Sequence, residues 1–140
     1  MIAITSDLHC GSKHALCPPG LELADGEIYQ LTKIQEWLWS CWMDFCKAVP
    51  RGSIGVVNGD ITQGINTKEG ALVSYKYSDQ NLIAAETLKY FLERCTECYF
   101  IFGTEWHEFI SGQNLISVVR DLQHDYKIHS PMQELWLRWQ

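Results

Sequence analysis

The chain has 140 residues, of which 46% are apolar and 20% charged, and its formal net charge is −6. That length suffices for one domain with a buried core, and the composition excludes a disordered or collagen-like chain. The 11 Lys and Arg are scattered along the sequence, so there is no basic stripe of the kind that grips a duplex by its phosphates.

Met1 to Ser6 is a short apolar run that predicts a buried strand. No basic region followed by an apolar stretch opens the chain, and the aromatic run from Trp37 to Phe45 is too short to span a bilayer. The expected compartment is the cytoplasm, with no membrane partner. A loop with Gly11, Pro18, Pro19, Gly20 and Gly26 follows. From Lys33 to Val49 the apolar period becomes helical, with Ile34, Trp37, Leu38, Cys41, Trp42, Phe45 and Cys46 on one expected face. Pro50-Arg51-Gly52 ends this helix, and Ser53 to Asn58 predicts a second buried strand.

Ile61 to Tyr77 reads as a loop, and Ser78 or Asp79 is the expected cap of a second helix with Ala84, Leu88, Phe91, Leu92 and Cys95 on its inner face. Glu97 to Phe102 predicts a third strand. Ser111 is expected to cap a third helix that buries Leu115, Val118, Val119 and Leu122. Asp125 to His129 and Glu134 to Trp139 are the expected last strands. The order β-α-β-α-β-α-β-β points to a single α/β domain over residues 1–140, with a largely parallel sheet covered by helices.

In such a sheet, ligands gather beyond the carboxyl ends of the strands. Three strands end there in residues with useful chemistry: Asp7-Leu8-His9, Asn58-Gly59-Asp60, and Gly103-Thr104-Glu105-Trp106-His107-Glu108. Asp and His together hold divalent cations such as Mn, Fe, Zn or Ni. One residue between Asp7 and His9 lets both side chains point to the same side of an extended segment. Asp60, with two carboxylate oxygens, is suited to bridge two cations, and Gly59 and Gly103 allow sharp turns beside them.

Asp-x-His, then Gly-Asp, then Gly-Asn-His-Asp/Glu, each after a strand, is the pattern of the calcineurin-like metallophosphoesterases. Ser6-Asp7-Leu8-His9, Asn58-Gly59-Asp60 and Gly103 to Glu108 resemble it, most closely a phage-associated branch. The resemblance runs from the first strand through the third helix and implies one half of an α/β/β/α sandwich. It also implies a metal-dependent hydrolase of phosphate esters with two divalent ions and a hydroxide held between them. On that resemblance Asp7 and His9 hold the first metal and Asp60 bridges. His107 contacts the phosphate and helps protonate the leaving oxygen, and Glu108 orients His107. The family's Asn has no counterpart here; Thr104 or Glu105 stands near its position, and Glu105 is the better oxygen ligand. The family's later Gly-His-x-His element is also absent from this sequence. The implied partner is a phosphate-ester substrate, such as a nucleotide or a nucleic-acid end.

Other readings compete. A truncated or degenerate homologue would act as a non-catalytic binding or assembly module, and an uncovered sheet face would drive self-association or recruit a second polypeptide. Cys95-x-x-Cys98 with Cys41 and Cys46 offers a zinc site, although Cys41, Cys46 and Cys95 also suit core positions. His129 follows a candidate strand and offers an extra imidazole. Ser6, Asp7 and His9 are too close in sequence to form a nucleophilic relay, and no phosphate-binding Gly-rich loop is present.

Overall fold

The computed structural model describes residues 1–65, 71–108 and 113–138. Three parallel strands, β1 (Ile2–Ser6), β2 (Ser53–Asn58) and β3 (Cys95–Ile101), form an open sheet in the order β1-β2-β3. Helix α1 (Lys33–Ala48) joins β1 to β2, and α2 (Tyr77–Leu92) joins β2 to β3. A single turn, α3 (Glu105–Glu108), and then α4 (Gln113–Leu122) follow. The expected α/β class and parallel sheet are present. No helix among the described residues is long and apolar enough to cross a membrane.

Both crossovers step one strand in the same direction, so a right-handed connection puts α1 and α2 on the same face of the sheet. The packing agrees. The Trp42 indole N–H donates to the Thr87 carbonyl at 3.1 Å, and the Trp42 ring lies against Phe91. α4 packs on α2 and buries Leu115, Val118, Val119 and Leu122 as expected. The row Ala3, Gly55, Cys98 faces this layer. A Cβ at Gly55 would stand 2.8 Å from the Cys95 sulfur and 3.0 Å from the Phe91 ring, so only glycine lets the helix sit this close. Among the described residues no helix packs on the opposite row, Ile4, Val56, Tyr99; Ile4 is 61% exposed, whereas Val56 is buried.

Two expectations for the helices change. The face that α1 buries is Gln35, Trp42 and Cys46, whereas Ile34 and Trp37 are exposed. The apolar stripe is wide enough to fit two faces, and the buried amide of Gln35 decides between them. It accepts from the Thr32 N–H and the Tyr29 hydroxyl and donates to the Ser12 carbonyl. Helix α2 starts at Tyr77 with no side-chain cap. Asp79 is instead buried and accepts from the Ala24 N–H and the Ser74 hydroxyl, which ties the 20s loop to the helix. Ser111, the expected cap of α4, lies outside the described residues.

The two C-terminal strands are not formed as expected. Lys127 to Met132 runs beside β3 and makes only isolated parallel bridges, Cys98 with Ile128 and Ile101 with Met132. Three residues lie between the bridges on that segment against two on β3, and Pro131 has no N–H to give, so the ladder breaks there. Glu134 to Arg138 is irregular, and Trp139 lies outside the described residues.

Candidate metal centre

The carboxyl end of the sheet is where the loops are most tightly constrained. Beyond β1 and β2 the backbones keep pairing, with the His9 N–H on the Asp60 carbonyl at 3.0 Å and the Cys10 N–H on the Ile61 carbonyl at 2.9 Å. Gly59, at φ +71°, turns β2 under the end of β3, where a Cβ would lie 2.8 Å from the Gly103 Cα. The two glycines of the sequence motifs are therefore packed backbone to backbone.

Among the described residues, the non-glycine residues with positive φ are Asp7 (55°), His9 (45°) and Asp60 (48°). Left-handed backbone is costly for a residue with a Cβ, and Asp, Asn and His tolerate it best. All three are residues the sequence marks as ligands. Backbone strain collected at one rim is a feature of functional sites.

His9, Asp60 and His107 come together from three strand ends. Each offers a ligand atom, and these atoms all lie within 4.8 Å of one another. The two imidazoles meet edge to face with ring centroids 4.5 Å apart. The Nδ1 of His107 is 2.8 Å from the Gln63 carbonyl oxygen. A carbonyl only accepts, so Nδ1 carries the proton and the neutral ring keeps a lone pair on Nε2. A ligating histidine is commonly oriented this way, by a hydrogen bond from its other nitrogen. The Asp60 carboxylate is fixed from behind, since the Thr104 N–H donates to Oδ1 at 2.7 Å and the Thr104 hydroxyl at 3.0 Å.

The Nδ1 of His9 is buried and has no hydrogen-bond partner among the described residues. Leaving a buried polar atom unpaired is costly, and a cation is one partner that would satisfy it. Burial is the largest cause that holds His9 below the usual imidazole range, followed by the neighbouring His107; the Asp60 and Asp7 carboxylates pull the other way. A neutral imidazole is the form that binds a metal. Two imidazoles and one carboxylate with ligand atoms this close are a donor set that fits a divalent transition ion.

The remaining expected residues stand differently. Asp7 is at the rim, its Oδ1 3.9 Å from the His9 Nε2, and is mostly exposed. Glu105 begins α3, is exposed, and is not a member of the three-residue group. Thr104 takes the place beside Asp60. Glu108 closes α3, and its side chain lies outside the described residues. His107, expected to contact the phosphate and donate a proton, stands in the three-residue group with His9 and Asp60. His129 is elsewhere, stacked on Tyr99 at 4.1 Å with its Nε2 2.8 Å from Glu97. The alternative zinc–thiolate site is not formed among the described residues, where the three-ligand group contains no Cys. Five of the six thiols are at least partly buried.

One positioning residue carries no sequence signal. Gln80 on α2 is fully buried; its Oε1 accepts from the Gly64 N–H at 2.9 Å, and its Nε2 donates to the Gly64 and Ser74 carbonyls. Gly64 in turn touches the backbone of Trp106 and His107, and the Thr62 hydroxyl donates to the His107 carbonyl at 3.2 Å. Gln80 thus holds the loop that holds His107. Buried polar side chains next to a loop are the only hint, and they look like ordinary helix residues until the loop is in place.

In comparison with known proteins the chain matched no family model, and neither a curated protein nor a solved structure was found to be similar to it.

Proposed function

We propose that the chain is a metal-dependent hydrolase of phosphate esters, related to the calcineurin-like metallophosphoesterases through its three strand-end motifs. The observation that carries this reading is the meeting of His9, Asp60 and His107, from three separate strand ends, with a ligand atom of each within 4.8 Å of the others. A divalent cation bound there would supply Lewis-acid polarisation of a phosphate oxygen and a more acidic water. His9 and Asp60 would hold it, and Thr104 would keep the Asp60 carboxylate from swinging away. His107, locked by Gln63, presents a single ring nitrogen to the cation or, when protonated, to the leaving oxygen. A two-cation form needs further oxygen ligands, and the Asp7 carboxylate at the rim is the nearest source.

The test is Mn²⁺ binding by calorimetry together with hydrolysis of bis(p-nitrophenyl) phosphate and p-nitrophenyl phosphate, beside an Asp60→Asn control. Metal-dependent turnover that is lost in the control supports the reading. A protein that binds Mn²⁺ no better than Asp60→Asn and hydrolyses neither ester refutes it.

A second reading is a binding or assembly module. It is favoured by two exposed apolar side chains, Ile4 at 61% on the outer edge strand and Trp136 at 89%. Light scattering tests it: a concentration-independent monomer counts against self-association.

A further inference from the structure

Beside the cluster lies a groove of about 590 Å³ that shares Asp7, His9 and His107 with it. One wall is the outer edge of β1 and the loop that follows, and the other is α1. Away from the cluster the groove is lined by Thr5, Leu16, Leu38, Cys41, Trp42 and Phe45, and no Lys or Arg among the described residues lines it. The wall is already set. The Trp42 indole is anchored to the Thr87 carbonyl, and Phe45 stacks on Phe91 at an interplanar angle of 14°. A preformed apolar wall leading into a polar end is the layout of a small-molecule site.

We infer that this groove receives the ester group of the substrate, and that the group is apolar, an aryl or alkyl moiety, rather than a second phosphate or a nucleic-acid backbone. The inference rests on the phosphoesterase reading and narrows it. A polyphosphate or an oligonucleotide would bring further anions into a groove where, among the described residues, no Lys or Arg lines the wall and His14 is the one protonatable side chain away from the cluster, next to the Asp7 carboxylate. A flat ring, by contrast, would lose its hydration against Leu38, Trp42 and Phe45 with little ordering of the wall.

Cys41 supplies a readout independent of turnover, since it lines the groove and is the exposed thiol among six. The Mn²⁺-loaded protein is alkylated with iodoacetamide in the presence of methylphosphonate or of 2-naphthylmethylphosphonate, neither of which can be hydrolysed. Mass spectrometry follows the rate at Cys41, and calorimetry gives both affinities. The naphthyl compound is expected to bind at least about tenfold more tightly, as burial of the ring area requires, and to slow Cys41 alkylation. Leu38→Asp is expected to abolish that preference. Equal affinities with no protection of Cys41, or tighter binding of tripolyphosphate than of the naphthyl compound, would overturn the inference and leave the phosphoesterase reading standing. If neither phosphonate binds the Mn²⁺-loaded protein, both fall together.

Discussion

Replacing Gly59 with alanine probes the backbone crossing that sets the metal rim. Two costs are expected. Alanine at φ +71° is left-handed, which costs about 1 kcal/mol. Its Cβ would also stand 2.8 Å from the Gly103 Cα and 3.2 Å from the Gly103 nitrogen. Those atoms are backbone at the end of β3, so relief requires the two strand ends to part by some tenths of an ångström. Together the cost comes to about 3 kcal/mol, a large share of a total stability of about 5–15 kcal/mol. Gly26 is the control, because its φ is +83° and nothing lies within 4 Å of its Cβ position. Gly26→Ala should lose only the backbone cost. Urea melts should place Gly59→Ala about 2 kcal/mol below Gly26→Ala. Mn²⁺ affinity should fall only in Gly59→Ala, since Asp60 is the next residue. Equal melts for the two variants would refute the account of the crossing as a close backbone contact.

The other expectations are smaller in scope. Thr104→Val keeps the backbone N–H but removes the hydroxyl bond to Asp60; Mn²⁺ affinity should fall about tenfold with little change in the melt, as calorimetry and urea titration will show. Gln80→Leu leaves the Gly64 N–H and carbonyl and the Ser74 carbonyl without their partner; the loss should reach about 3 kcal/mol, and hydrogen exchange should rise at Gly64 and around His107. Native protein should alkylate quickly at Cys41 alone, followed by the other thiols only on denaturation, which peptide mapping resolves. Burial pushes the Cys10, Cys17 and Cys46 thiols up to about 12 and Cys95 up to about 11, from an ordinary value of 9.0. A folded pKa raised in this way gives stability that is complete below pH 9.0 and lost as pH climbs from there towards 12. Urea midpoints should therefore drop above pH 9.0, and Cys98→Ala, which removes another such buried thiol, should soften that drop.

Much of this was legible in the sequence where a residue type is bound to a local conformation. The strand-end motifs fell where expected because Gly59 and Gly103 can only be explained by a tight crossing, and Asp and His are the side chains left-handed backbone accepts. The inner faces of α2 and α4 followed from their period, except for Cys95, expected on α2, which instead opens β3 because the helix ends at Leu92. The face of α1 did not, because its apolar stripe is broad and a buried glutamine, satisfied by Thr32, Tyr29 and Ser12, selects the rotation. The substitution of Thr104 for Glu105 beside Asp60 was hidden for a related reason. Ligand strength favoured the carboxylate, but the geometry after Gly103 points residue 104 at Asp60 and starts a helical turn at residue 105. The broken fourth strand turns on one extra residue and a proline, a register detail that alternation in sequence does not encode.

The left-handed backbone at Asp7, His9 and Asp60 has a consequence for how such a site would decay. If selection for metal binding were relaxed, drift at these three positions would still be confined to residues that tolerate the turn, chiefly Asn, Asp, His and Gly. A descendant that had lost the activity would keep the silhouette of its ligands, Asn where a carboxylate had been, long after the chemistry was gone. Intact motifs at these positions therefore record the shape of the loops as much as the use made of them, and the residues under no such constraint, Thr104 and His107, are the better witnesses to a working centre.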